Sequence, residues 1–118
     1  MNAFEKIRTI AEAEGMHAFL DRYVPEHHPE LGTLDRWVTY NTADDRGALF
    51  GGDGAQENVL SMQIHVYLPE HEDYLDLKKR IRKSLSDADF TWPVITVETE
   101  EEHRVRHIIF ECDIEEEE

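Results

Sequence analysis

Apolar side chains recur at helical spacing near the start of the chain. Phe4, Ile7, Ile10 and Ala11 fall on one side of residues 4–14, and charged residues fill the remainder. Gly15 follows, the residue type that most readily takes the left-handed conformation closing a helix, so a first amphipathic helix is predicted here. Residues 16–24, with Phe19, Leu20, Tyr23 and Val24, fit either a short strand or the tail of a helical hairpin, and Pro25 and Pro29 frame a loop after them. The aromatic and β-branched run Arg36-Trp37-Val38-Thr39-Tyr40 reads as a strand. Beyond it, residues 41–56 hold four glycines together with Asp44, Asp45 and Asp53, the composition of a long flexible loop.

The clearest alternation covers residues 59–68. Leu60, Met62, Ile64, Val66 and Leu68 occupy one face, and Val59, Ser61, Gln63, His65 and Tyr67 the other, as in an antiparallel strand lying over a core. Pro69 ends it. A second helix is predicted from about Glu72 to about Ala88, where Tyr74, Leu77, Ile81, Leu85 and Ala88 trace one stripe. Its acids come early (Glu70, Glu72, Asp73, Asp76) and its bases late (Lys78, Lys79, Arg80, Arg82, Lys83), which suits the helix dipole; Asp76 and Arg80 add an i,i+4 pair. Residues 90–97 then read as a strand placed at an edge or bulge by Pro93, residues 98–102 as an acidic turn, and residues 104–114 as a last strand with Ile108, Phe110, Cys112 and Ile114 on one side. Glu115 to Glu118 are expected to fray. This order implies one α+β domain over residues 1–118: an antiparallel or mixed sheet of four to five strands with two helices packed on one face.

Composition narrows the function. The chain has 118 residues, 27 acidic and 12 basic, for a formal net charge of −15. That length suits a single domain, and 40% apolar residues exclude a disordered acidic chain. So negative a surface is repelled by phosphates, which argues against specific nucleic-acid binding. There is no apolar run long enough to span a bilayer, and the start Met1-Asn2-Ala3-Phe4-Glu5 lacks the layout of a secretion signal, so a soluble protein made and kept in a cytoplasm is expected, with no membrane partner.

The candidate chemistries are weak. Seven histidines, among them adjacent His27 and His28, and His65 facing His103 and His107 across paired strands, lack helical His-x3-His spacing or a chelating Cys/His motif; exposed polar histidines are the better reading. The Asp and Gly residues of the long loop do not meet the calcium-loop pattern, and Gly51-Gly52-Asp53-Gly54 has no following Lys and precedes a strand, unlike a phosphate cradle. Cys112, the only cysteine, falls on the core face. No carboxylate pair is singled out for acid/base work, so no catalytic residue, cofactor or metal is expected, and the protein is read as a non-enzyme.

One cluster stands apart. Five of the six residues 78–83 are basic in a strongly acidic chain, while residues 98–118 hold ten acids and only Arg104 and Arg106. The bases serve either to complement the helix C-terminus or to meet acidic segments of another copy in a head-to-tail ring.

The strand 36–40, the Gly/Asp loop, Gln63-Ile64-His65-Val66-Tyr67, the segment Tyr74-Leu75-Asp76-Leu77-Lys78-Lys79-Arg80-Ile81-Arg82-Lys83-Ser84-Leu85, the step Ala88-Asp89-Phe90-Thr91 and the closing His107-Ile108-Ile109-Phe110-Glu111-Cys112 together resemble the tail terminators of long-tailed phages and prophages, small tail-completion proteins. The resemblance covers nearly the whole chain in element order and spacing. It implies a structural protein forming a hexameric ring on the end of the tail tube, with itself, the major tail tube protein and the head connector as partners, found in the host bacterial cytoplasm during assembly and then in the tail and neck of the virion. Interface candidates are Asp44, Asp45, Arg46, Gly47, Phe50 and Asp53 of the loop, expected to order on assembly, and Lys78, Lys79, Arg80, Arg82 and Lys83. Glu98, Glu100, Glu101 and Glu102 are candidates for an acidic lumen that keeps passing DNA from adhering. The alternatives are another neck component, such as a head-closure or connector protein; an acidic protein imitating DNA or another protein-binding module; and a small enzyme or metal-binding domain using the histidines.

Overall fold

Alternation along residues 59–68 places an apolar side chain every second position, and the chain folds so that this stripe lies at the centre of the core. A computed structural model describes residues 1–48 and 57–117, with residues 48, 57 and 117 described in backbone only. The elements run α1 (Ala3–Ala13), β1 (Ala18–Leu20), two short 3-10 turns (Pro25–His27 and Pro29–Leu31), β2 (Trp37–Ala48), β3 (Glu57–Pro69), α2 (Leu75–Asp87), β4 (Val94–Glu100) and β5 (Val105–Glu117). The fold is α+β, with a five-stranded mixed sheet in the order β1-β2-β3-β5-β4. β1 runs parallel to β2, and every other pairing is antiparallel.

Register follows the apolar pattern. Val38 lies opposite Val66, Ile64 opposite Phe110, and Val97 opposite Ile108. A slip by one residue would turn every one of these side chains to the other face. Met62, Ile64, Val66 and Leu68 of β3 and Ile108, Phe110, Cys112 and Ile114 of β5 are buried with Ile7 and Ala11 of α1 and Leu77, Ile81 and Leu85 of α2. Both helices therefore cover one face, and burying each large side chain there contributes about 1.5–3 kcal/mol.

Local chemistry sets the helix ends. The Asn2 side chain accepts the Glu5 N–H at 2.9 Å, and Gly15 (φ +75) closes α1. The second helix starts at Leu75 and not at Glu72, because the Glu72 N–H is turned back to the Pro69 carbonyl and its carboxylate holds Arg36. The basic run consequently sits in mid-helix, and the last turn of α2 has no base. Arg80 does not join Asp76 in the observed ion pairs; it reaches Glu14 at 3.0 Å, and the i,i+4 pair of this helix is Lys83 with Asp87 at 2.8 Å.

Three further expectations are corrected. Much of the supposed loop 41–56 is strand: β2 continues through Ala48 and β3 begins at Glu57, past an irregularity between Thr42 and Asp44. Ladder hydrogen bonds and cross-strand polar contacts outweigh weak local propensity there. The acidic end is not frayed, since Glu115 pairs with Val59 and Glu116 with Asn58, and the Glu116 carboxylate accepts the Ala3 N–H at the start of α1. Glu118 lies outside the described residues. Finally, β4 starts only at Val94, after the buried Phe90, and extends through Glu100, so the turn is residues 101–104. Among the described residues, no helix is long and apolar enough to cross a membrane.

Candidate assembly surfaces and the open face of the sheet

The strand order leaves two edges. β4, preceded by Pro93, forms one and β1 the other, and among the described residues no strand pairs with their outer sides. Apolar groups stand exposed along the first: Trp92 is 65% exposed, Val94 69% and Val97 37%. Leu20, at the end of β1, is half exposed. Because β1 follows β2 in parallel and the remaining pairings are antiparallel, β1 and β4 point in opposite directions. A β4 edge meeting the β1 edge of another copy would pair antiparallel. Unpaired edges of this kind are templates for association.

Asp44, Asp45, Arg46 and Gly47 lie on β2 beyond the irregularity, not on a loop; Phe50 and Asp53 lie outside the described residues. Arg46 is already engaged within the chain. Its guanidinium donates to Asp44 at 2.8 Å, to Ser61 at 3.0 Å and to Asp113 at 3.5 Å, and its pKa is raised, chiefly by the hydrogen bond to Asp44.

The five bases of α2 do not form one free patch. Lys78 lies over the Tyr74 ring at 5.9 Å, Arg82 over the Trp92 ring at 5.3 Å, Arg80 binds Glu14, and Lys83 binds Asp87. Lys79 is exposed, with no partner among the described residues. Glu98 and Glu100 project from β4, and Glu101 and Glu102 occupy the turn after it; all four are exposed. These four acids thus lie together on β4 and its turn and the five bases on α2, although four of the five bases are internally engaged.

The face of the sheet away from the helices carries an aromatic arrangement of which the sequence reading named only the facing of His65 and His107. Trp37, Tyr67, His107 and Glu98 form one cross-strand row, and Phe19, Thr39, His65, Ile109 and Thr96 the next. Trp37 stacks on Tyr67 at 5.1 Å between ring centroids, and Tyr67 on His107 at 4.3 Å. His65 stacks on His107 at 4.9 Å, and its Nδ1 lies 2.7 Å from His107 Nε2. At the corner, Tyr23 and His28 from the connection between β1 and β2 cover Phe19. The signal was present in the odd-numbered positions of three adjacent strands, legible only once their pairing is known.

Of the histidines singled out together, the structure joins His65 and His107; His103 sits in the turn, 3.6 Å from Glu100. Among the described residues no group of three His, Cys, Asp or Glu side chains is placed to hold a metal. Burial holds both paired histidines below the ordinary imidazole range. The His107 ring adds to the reluctance of His65 to charge, while Glu98 opposes the shift at both rings and Glu100 opposes it at His107. Burial raises the Tyr67 phenol, which is hydrogen-bonded to Thr39. Cys112 is buried in the core, and its thiol is pushed up to about 12, which keeps it protonated and unreactive at neutral pH.

Compared with known proteins, the chain matches no family model and no curated sequence.

Proposed function

We propose that the protein is a non-enzymatic assembly component of a phage tail, a terminator that closes the tail tube as a hexameric ring and presents a surface to the head connector. The resemblance of its sequence supports this reading. The structural observation that carries it is the open β4 edge with Trp92, Val94 and Val97 exposed, opposite a β1 edge of reversed direction. A ring needs a heterologous contact that closes, in which one surface of each copy meets a different surface of the next. Two unlike edges at the ends of one sheet supply such a pair.

In this reading, ring closure uses up the edges. Growth of the tube stops because no unpaired template remains on the cap. Glu98, Glu100, Glu101 and Glu102, exposed on β4 and its turn, face a channel and repel the duplex passing through it. Their charge reversal to Lys is expected to make the ring retain duplex DNA.

The test is assembly with the tube-forming protein encoded in the same genome. Tubes polymerised with and without the chain are measured by electron microscopy. The proposal expects capped tubes of restricted length with a ring at one end; unchanged lengths and bare ends would overturn it.

A further inference from the structure

The contact between His65 and His107 is chemically restrictive. A nitrogen separation of 2.7 Å fits one shared proton, carried by one ring and accepted by the other. A second proton would set two N–H donors and two positive charges against each other. His107 has another partner within reach, since its Nδ1 lies 3.8 Å from the Glu98 carboxylate of β4. Among the described residues His65 makes no ion pair with an acid, although the Glu98 charge also reaches it. His65 is flanked by Thr39 of β2 and Ile109 of β5, neither of which can carry charge.

We infer that His65 and His107 form a proton-operated latch on the open face of the sheet. While they share one proton the rings stay in contact; when both become charged the contact breaks, His107 turns to Glu98, and His65 is released toward solvent. The groups facing the pair are few. β4 supplies Glu98 and Glu100, β3 supplies Tyr67, β2 supplies only uncharged Trp37 and Thr39, and Glu111 of β5 lies one row away, opposite Gln63. No lysine or arginine belongs to the two rows that hold the pair, so the two imidazolium charges would be the only cationic change there.

The latch is linked to the rest of the face by stacking. His107 lies on Tyr67 and Tyr67 on Trp37, so a movement of His107 reaches the indole through two ring contacts. Its side chain also neighbours the strand that forms the open edge, because Glu98 is the residue of β4 paired with His107. Acidification therefore alters the side-chain contacts beneath β4 without touching the helix-covered core. This inference does not depend on the tail reading.

The experiment uses the full chain with Trp92→Phe, which leaves Trp37 as its one indole. Trp37 emission is followed from pH 8 to pH 5, in parallel with the imidazole resonances by NMR and with far-ultraviolet circular dichroism as a check on folding. The expected result is two coupled histidine transitions, the second below the ordinary imidazole range, with a change in Trp37 emission that tracks the second one while the fold persists. His65→Phe keeps an aromatic ring but no titrating nitrogen; there His107 should titrate in one step and the Trp37 response should disappear. Independent single-step titration of His65 and His107 in the parent, or Trp37 emission that stays flat, would overturn the inference. So would a Trp37 response that survives His65→Phe unchanged.

Discussion

The two faces of the sheet are built from the same strands and behave as different materials. On the helix side, Met62, Ile64, Val66 and Leu68 alternate into a dry core completed by Phe110 and the stripes of α1 and α2. On the other side the intervening positions hold Trp37, Thr39, His65, Tyr67 and His107, the rings joined by stacking and one imidazole contact, with Tyr23 packed between Trp37 and His28 at one corner. The first face derives its stability from volume filled and water excluded, which is insensitive to pH. The second depends on the protonation state of two histidines. A protein that must both hold its shape and respond to conditions or partners is well served by keeping these functions on opposite sides of one sheet.

The largest effect is expected from emptying the first face. Phe110→Ala should cost about 3–5 kcal/mol in urea unfolding, since it leaves a cavity beneath two helices. Tyr67→Ala on the open face removes stacking against Trp37 and His107 and should cost about 1–2 kcal/mol. Equal costs would erase the distinction between the faces.

Next comes pH. Because His65 and His107 have folded pKa values below the unfolded imidazole value, the unfolded chain binds more protons between the two. Stability is then fully present above about pH 6.5, the unfolded value, and falls as pH drops through it toward the folded values. Denaturant melts at pH 7.5 and 5.5 should show this decline in the parent and a smaller one in the double variant His65→Gln, His107→Gln. A parent and double variant with the same pH slope would assign the acid sensitivity elsewhere.

Smaller effects belong to the surface. Arg80→Ala, which breaks the partly exposed pair with Glu14 between the helices, should cost no more than about 1 kcal/mol. Lys79→Ala, with no partner among the described residues to lose, should change stability by less than about 0.5 kcal/mol.

Most of the core face was legible in the sequence because its signal is local. Residues 59–68 alternate without a break, and Leu77, Ile81 and Leu85 recur at helical spacing, so burial follows from one stretch of chain at a time. What was misread depends on groups brought from far away. Residues 41–48 look like a loop by composition, yet Arg46 of β2 finds Ser61 and Asp113 on two other strands, and the ladder extends accordingly. Glu116 looks like the start of a solvated acidic tail, yet it meets the N-terminus of α1. The basic run of residues 78–83 looks like a patch, yet Glu14, Tyr74, Asp87 and Trp92 engage four of its five members. The facing of His65 and His107 was legible from the alternation of their strands, but the ring row around it needed register, because the pairing of Trp37 with Tyr67 and of Tyr67 with His107 sets those rings side by side.

The same contrast between covered and uncovered surface bears on assembly. Val94 stands on the edge strand, and a charge there should leave the folded chain intact while blocking strand addition. Native mass spectrometry across a concentration series, on the wild type and on Val94→Lys, tests the proposed ring most directly. The account predicts a wild-type hexamer that forms as concentration rises and a Val94→Lys chain that remains monomeric. A wild type that stays monomeric throughout, or a variant that assembles as well as its parent, would contradict it.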